Sequence, residues 1–247
     1  KKPYPEILFE NSLRNSSEKS LIEDYLVSIK KNNKITILRL QGVFGPYDPC
    51  IVGLLFYRIK NNLPIIIKEN NSMKNKFLYI YDLIEIIYLL IDNEKSYNKI
   101  YNVCGDEEIT LNYLIECCAN ICKKKPIIKN YTDDMLQFSL KHDPNKRHVG
   151  ISLDWIENNK ITNNMLIKDD LEFKFTSINN SLEETYQWLK SNKEKLKYFS
   201  FLGENYILSS LEPPHYKSWF WKIINFLDIR SKIKIKINKF LVFKLKK

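Results

Sequence analysis

Three groupings in this chain have residue types that chemistry can use. Cys117, Cys118 and Cys122 crowd one apparent helix, and thiolates at such spacing are nucleophiles or metal ligands. No His lies near them, and they read as reduced, buried thiols rather than a metal site. His142, Asp143, Arg147 and His148 form the second group, in a stretch polar enough to read as a loop. No Ser-His-Asp arrangement and no metal-binding motif is present, so no metal is expected. The third is the run Thr36 to Pro49, Thr-Ile-Leu-Arg-Leu-Gln-Gly-Val-Phe-Gly-Pro-Tyr-Asp-Pro. Ile35, Ile37 and Leu38 read as the end of a buried strand, and the chain leaves the sheet at Gly42, Gly45 and Pro46. Ligands of open α/β sheets bind beyond such carboxyl ends. A plain strand and turn is the competing reading, and both stay open at this point.

The elements that must position these residues alternate. Ser17–Lys30 reads as a helix with Leu21, Ile22, Tyr25, Leu26 and Ile29 on one stripe, after an irregular 1–15. A helix follows at Ile51–Asn61, with Leu54, Leu55, Phe56 and Ile59 apolar. Pro64–Ile67 and Phe77–Ile80 read as strands. Asp82 is expected to cap a helix Leu83–Ile91, whose Leu83, Ile86, Ile87, Leu90 and Ile91 face a core. Ile100–Cys104 reads as a strand ending at Gly105, and Thr110 caps a helix through Ile121. Pro126–Tyr131 is a strand. Ser181 and Glu184 read as a capping box opening a helix Leu182–Lys195. Strands alternating with helices predict the α/β class.

Of 247 residues, 44% are apolar, which suits a globular chain, and the net charge is +10. Only five of the 39 basic residues are Arg, while Lys, Asn and Ile abound. Phosphate forks favour Arg, so compositional bias competes with selection for a polyanionic partner as the source of the charge. The cysteines suggest no disulfide framework and a reducing compartment. Neither a secretory signal nor an apolar run long enough to span a bilayer is present. The chain opens Lys-Lys-Pro-Tyr and is expected to be a piece of a longer protein. Residues 201–247 are expected to form a basic, aromatic extension. Trp219, Phe220 and Trp221 crowd one segment, and Lys232 to Ile237 alternates lysine with isoleucine. It reads as an edge hairpin or docked tail, or as an element for an anionic membrane surface or RNA.

Four ordered motifs carry a resemblance. They are Lys19-x-x-x-Glu23-x-Tyr25-Leu26, Leu38-Arg39-Leu40 through Gly45-Pro46, Phe77 through Leu83, and Ile100-Tyr-Asn-Val-Cys-Gly105 with Thr110-Leu111. The set resembles the extended short-chain dehydrogenase/reductase superfamily, the NAD-dependent epimerase/dehydratases. Gly45 to Pro49 and Phe56 to Ile65 are similar to its chloroplast stem-loop-binding group, some of whose members are associated with RNA. The resemblance implies the C-terminal part of a Rossmann-like doubly wound parallel sheet with a smaller α/β substrate region, over residues 1–200. It implies an NAD or NADP cofactor and a nucleotide-sugar or similar small substrate. RNA binding on the same fold, or a non-catalytic scaffold touching membrane through the tail, are the alternatives. A homo-oligomer and a cytoplasmic or plastid-like setting also fit.

The family's catalytic pair is a Tyr and, four residues on, a Lys that lowers the phenol's pKa and holds the nicotinamide ribose. Lys19 matches the Lys, and Asn15 stands at the Tyr position. An amide is not an acid/base near neutral pH. The resemblance assigns the cofactor to Lys19 and to the backbone of Leu40, Gln41, Gly42 and Val43. The family's substrate-binding Arg position is Asn75. Lys74 and Lys76 beside it can meet a diphosphate as point charges, with Arg58 and Arg147 as other phosphate partners. The Gly-x-x-Gly-x-x-Gly phosphate loop is absent, since the six glycines (42, 45, 53, 105, 150, 203) never form it.

Overall fold

The computed structural model describes residues 6–8, 18–30, 33–48, 51–69, 71–135 and 160–192. In chain order these form β1 (Glu6–Leu8), α1 (Glu18–Ile29), β2 (Ile37–Leu40), β3 (Val43–Phe44), α2 (Ile51–Lys60), β4 (Pro64–Lys68), β5 (Lys74–Asn75) and β6 (Leu78–Tyr79). Then come α3 (Ile80–Leu90), β7 (Ile100–Val103), β8 (Ile109–Thr110), α4 (Leu111–Cys122), β9 (Ile127–Tyr131), β10 (Lys160–Thr162), α5 (Met165–Leu171) and α6 (Ile178–Ser191). The α/β alternation expected from the periodicities is present. Asn15, Arg147, the His142–His148 group and the tail from residue 201 lie outside the described residues.

Strands pair in parallel as β1 with β10, β2 with β7, β3 with β6 and β4 with β9, while β5 and β8 are antiparallel. The β2–β7 register sets Leu38 opposite Tyr101 and Leu40 opposite Val103, so both strands end at one level. A parallel pair needs a crossover, and helices supply it. Two apolar clusters result. One packs α3 and α5 with β7 through Leu83, Ile86, Tyr101, Val103, Ile167 and Phe173. The other packs α2, α4 and α6 with β3, β4 and β6 through Phe44, Leu55, Phe56, Ile65, Leu114 and Leu182. Ile80, at the start of α3, touches both.

Several expectations are corrected. Residues 1–15 contain a strand, because β1 finds a partner more than 150 residues away that no local pattern announces. The α1 helix forms as expected, and of its stripe Leu26 and Ile29 are half-buried while Leu21, Ile22 and Tyr25 are 70%, 61% and 64% exposed. Helical spacing puts them on one face without saying what covers it. Asp82 caps nothing. The helix starts at Ile80, and the Asp82 carboxylate is buried, accepting from Thr176 N–H (3.0 Å) and Thr176 Oγ1 (2.6 Å). Ile87 and Ile91 are exposed, while Leu83, Ile86 and Leu90 are buried. The α6 helix begins one turn before the expected box, with Ser177 as its cap, accepting from Asn180 N–H. Ser181 instead turns its hydroxyl back to the Ser177 and Ile178 carbonyls. The Thr110 cap is as expected and accepts from Tyr113 N–H.

Candidate functional site

The run after β2 is held from both sides. Gly42 sits at φ +57°, and a Cβ there would lie 3.0 Å from the Lys76 carbonyl and 3.1 Å from the Phe77 ring. Its own carbonyl accepts from Leu78 N–H at 3.1 Å. Gly45, at φ +143°, lies so close to Ile80 that a Cβ would come within 2.4 Å of its Cγ2. Both positions require glycine for conformation and for space. The chain then turns, Asp48 N–H donating to the Gly45 carbonyl, and Asp48 Oδ2 accepts from Val52 and Gly53 N–H in the first turn of α2. Free donors at a helix start are satisfied this way.

Gln41 joins the exit of β2 to two other segments. Its Nε2 donates to Asn75 Oδ1 at 2.6 Å, and its Oε1 accepts from Thr162 N–H at 3.3 Å. The structure therefore brings Gln41, between Leu40 and Val43, into contact with Asn75, between Lys74 and Lys76. Leu40 and Val43 stay 47% and 39% exposed, while Lys74 is exposed on β5. Arg39 anchors α1 to this strand. Its Nε lies 3.2 Å from each Glu23 carboxylate oxygen and its Nη2 2.7 Å from Oε1. Lys19 is exposed one turn before Glu23 on the same helix face. Arg58 is elsewhere. It is buried on α2 and donates to the Pro64 carbonyl at 3.2 Å, which gives it a folding role at the α2–β4 turn.

A small open depression lies below the exit, lined by Phe44, Phe77, Tyr79, Gly105, Asp106, Glu107, Thr176, Ile178 and Ser181. Its polar groups are engaged. Tyr79 Oη donates to Glu184 at 2.7 Å, and Glu107 accepts from Ile178 N–H at 2.7 Å. Burial first, then the Glu184 carboxylate, pushes the Tyr79 phenol far above its ordinary value. Tyr79 is thus a fixed hydrogen-bond donor and not a proton shuttle near neutrality. Sequence reasoning missed Tyr79, Asp106 and Asn164, because their roles depend on contacts 58 to 105 residues away. Asn164 Nδ2 donates to the Cys104 carbonyl (2.8 Å) and to Asp106 (3.0 Å), locking the end of β7. Burial raises the Cys118 thiol well above its ordinary value, in keeping with a core thiol. Among the described residues no His/Cys/Asp/Glu group could hold a metal, and no helix is long and apolar enough to cross a membrane.

The parallel strand pairs and the helices between them form an α/β fold that matches solved Rossmann-like structures. Residues 16–104 match the NAD dependent epimerase/dehydratase family. The chain is distantly related to the chloroplast stem-loop binding protein of 41 kDa b of Arabidopsis thaliana, at 25% identity over 129 residues, 51% of this chain and 34% of that protein. The fold is similar to UDP-glucose 4-epimerase with UDP-glucose from Thermotoga maritima, with TM-score 0.59 and 19% identity over 78% of this chain and 59% of that one. It is also similar to dTDP-glucose 4,6-dehydratase with NAD from Bacillus anthracis, with TM-score 0.60 and 16% identity over 76% and 57%. The chain thus spans about a third of the chloroplast relative and under two thirds of these solved chains.

The residues present fit only part of a dinucleotide. A pyrophosphate rests on a glycine-rich turn at a helix N-terminus. The 247 residues contain no such turn. The exposed Leu40 and Val43 beside the two constrained glycines fit one wall of the cleft.

Proposed function

We propose that the chain is the C-terminal part of an NAD(P)-dependent epimerase/dehydratase-type protein acting on a nucleotide-sugar or similar small substrate. The observation that supports this best is the Gln41–Asn75 contact. It sets the β2 exit, assigned to the cofactor side, against Lys74 and Lys76, assigned to a substrate diphosphate. In this reading Lys19 and the backbone of Leu40 to Val43 face the nicotinamide half. When bound, NAD(P) would supply hydride transfer. The chain's own residues would orient the two ligands and exclude water. Asn15 supplies no proton, so any acid/base step falls to another side chain. Residues 1–200 would be the partial Rossmann-like domain with its substrate region, and 201–247 a separate extension.

The test is a thermal-shift series on the full-length protein with NAD, NADP and UDP- and dTDP-sugars. A ligand at a hundredfold excess over its Kd stabilises by about 2.7 kcal/mol. A raised midpoint with cofactor supports the reading, and no shift with any of them at millimolar concentration refutes it. A second reading, RNA binding on this fold, draws on the distant stem-loop-binding relative.

A further inference from the structure

Helix α3 is apolar on two opposite sides. Leu83, Ile86 and Leu90 are buried in the cluster with β7 and α5. On the outer side Tyr81, Ile84, Tyr88 and Ile91 recur at alternating three- and four-residue steps and are 50%, 52%, 75% and 63% exposed. Ile87 lies beside them, also exposed. Such steps make the seam by which a helix takes up an apolar partner. A helix that is apolar all round belongs in an interior. Among the described residues nothing covers the outer stripe of α3, and it is contiguous, unlike the single apolar residues that any surface carries.

The charge around the stripe narrows what can cover it. Residues 77–94 include Asp82, Glu85, Asp92 and Glu94 and no basic residue. Asp82 is buried and accepts from Thr176, while the other three carboxylates are exposed. Anionic lipid or nucleic acid would meet like charge there. A second copy is a poor occupant too. The stripe offers roughly 500 Å² of side chain, whereas a stable dimer buries ~800 Å² on each partner. An antiparallel copy would also bring Glu85 beside its own twin at the middle of the stripe, where like charges repel.

The chain itself supplies an apolar segment of opposite charge. Residues 213–247 combine Trp219, Phe220, Trp221 and Phe226 with Lys217, Lys222, Arg230 and the lysines from Lys232 on, and Asp228 is their one acidic side chain. Reach is sufficient. Thr176, bonded to Asp82 in the first turn of α3, comes two residues before α6 begins, and α6 ends ~21 Å further on. Residues 193–218 follow, and a chain of that length spans roughly 30 Å even as a coil. A tether holds its segment at millimolar effective concentration, so a face too small for a dimer suffices.

We propose that the outer face of α3 is the docking surface for this chain's own residues 213–247, which lay their aromatic run on the Tyr81–Ile91 stripe and their lysines toward Glu85, Asp92 and Glu94. It is tested on the full-length protein in two ways. A photoreactive benzoylphenylalanine in place of Tyr88 reports what lies on the stripe. Trypsin cleavage within residues 213–247 is compared between wild type and Ile84→Gln, Tyr88→Gln, which leaves Leu83, Ile86 and Leu90 in place. The control, Leu21→Gln, Tyr25→Gln, removes equally exposed apolar groups from α1.

The expected result is a cross-link from position 88 to residues 213–247 of the same chain. Cleavage of that segment should be at least about tenfold faster in the α3 variant, because it follows the released fraction. The control should be cut at the wild-type rate. A cross-link to a second copy overturns the proposal in favour of a dimer, and one to another part of the chain overturns it in favour of that part. A cross-link formed only to added phosphatidylserine vesicles overturns it in favour of a membrane surface. No cross-link, or equal cleavage in wild type and the α3 variant, also overturns it.

Discussion

Substituting Gly105 by Ala tests how tightly the end of β7 is built against the loop before β6. Gly105 N–H donates to the Phe77 carbonyl at 2.9 Å, and a Cβ on Gly105 would lie 2.3 Å from that same oxygen. No rotamer relieves the clash, because both partners are backbone. The two segments must separate by roughly 1 Å, the difference from ordinary contact, which breaks the bond and leaves two buried polar groups unpaired. An unpaired buried group costs about 1–3 kcal/mol, so the substitution should cost about 2–4 kcal/mol in all. For a protein of this size each kcal/mol moves the midpoint by about 2–4 °C. The expected loss is therefore about 5–15 °C by circular dichroism, against no change for Ser191→Ala, whose hydroxyl is exposed on the last turn of α6. Phe77 also adjoins Gly42, so binding at the β2 exit should weaken in parallel. A Gly105→Ala midpoint within about 1 °C of wild type would refute the close approach.

Other consequences can be measured separately. Asp82→Ala removes the buried acceptor of both Thr176 donors and should cost about 2–4 kcal/mol in urea unfolding, with Thr176→Val costing less. Burial raises the Asp170 carboxyl, but its bonds from Lys99 and Tyr101 outweigh this and leave it below the ordinary carboxylate value. Its stabilising contribution is thus complete above the unfolded value near ~3.9 and is lost as pH falls through the folded one. Asp170→Asn should accordingly be less stable than wild type at pH 7, with the gap closing in acid. Thiol labelling of the native protein at pH 8 should leave Cys118 unmodified until urea unfolds it, as burial raises its thiol. Arg39→Lys keeps the charge but loses the fork on Glu23, and hydrogen exchange should show α1 opening more readily than in wild type.

The sequence was most legible where a local pattern and a core coincide. Residues Leu54, Leu55, Phe56 and Ile59 are buried on α2 as their spacing indicates, and Thr110 caps α4 as its type indicates. It was least legible where the partner is distant. The three-residue strands β1 and β10 and the two-residue β5 and β8 exist through each other. Ser177 and Ser181 are both good caps. The helix starts one turn earlier than expected, where Ser177 caps it and Glu107 accepts from the Ile178 N–H. At the candidate site, the glycines and Gln41 could be named from the exit motif. The side chains that hold them, Asn75 and Asn164 among them, needed the three-dimensional contacts. Arg58 shows the reverse limit: a basic residue read as a phosphate partner is buried against a backbone carbonyl.

The central proposal is that the β2 exit forms one wall of a nucleotide cleft. Calorimetric titration of NAD and NADP into the full-length protein, beside its Gly42→Val variant, addresses it most directly. A Val at φ +57° with the Lys76 carbonyl 3.0 Å from its Cβ must displace this wall. The account predicts saturable heat in wild type and at least about a tenfold weaker Kd in the variant, or about 1.4 kcal/mol. Equal binding by both proteins, or no heat from wild type at millimolar cofactor, would contradict it.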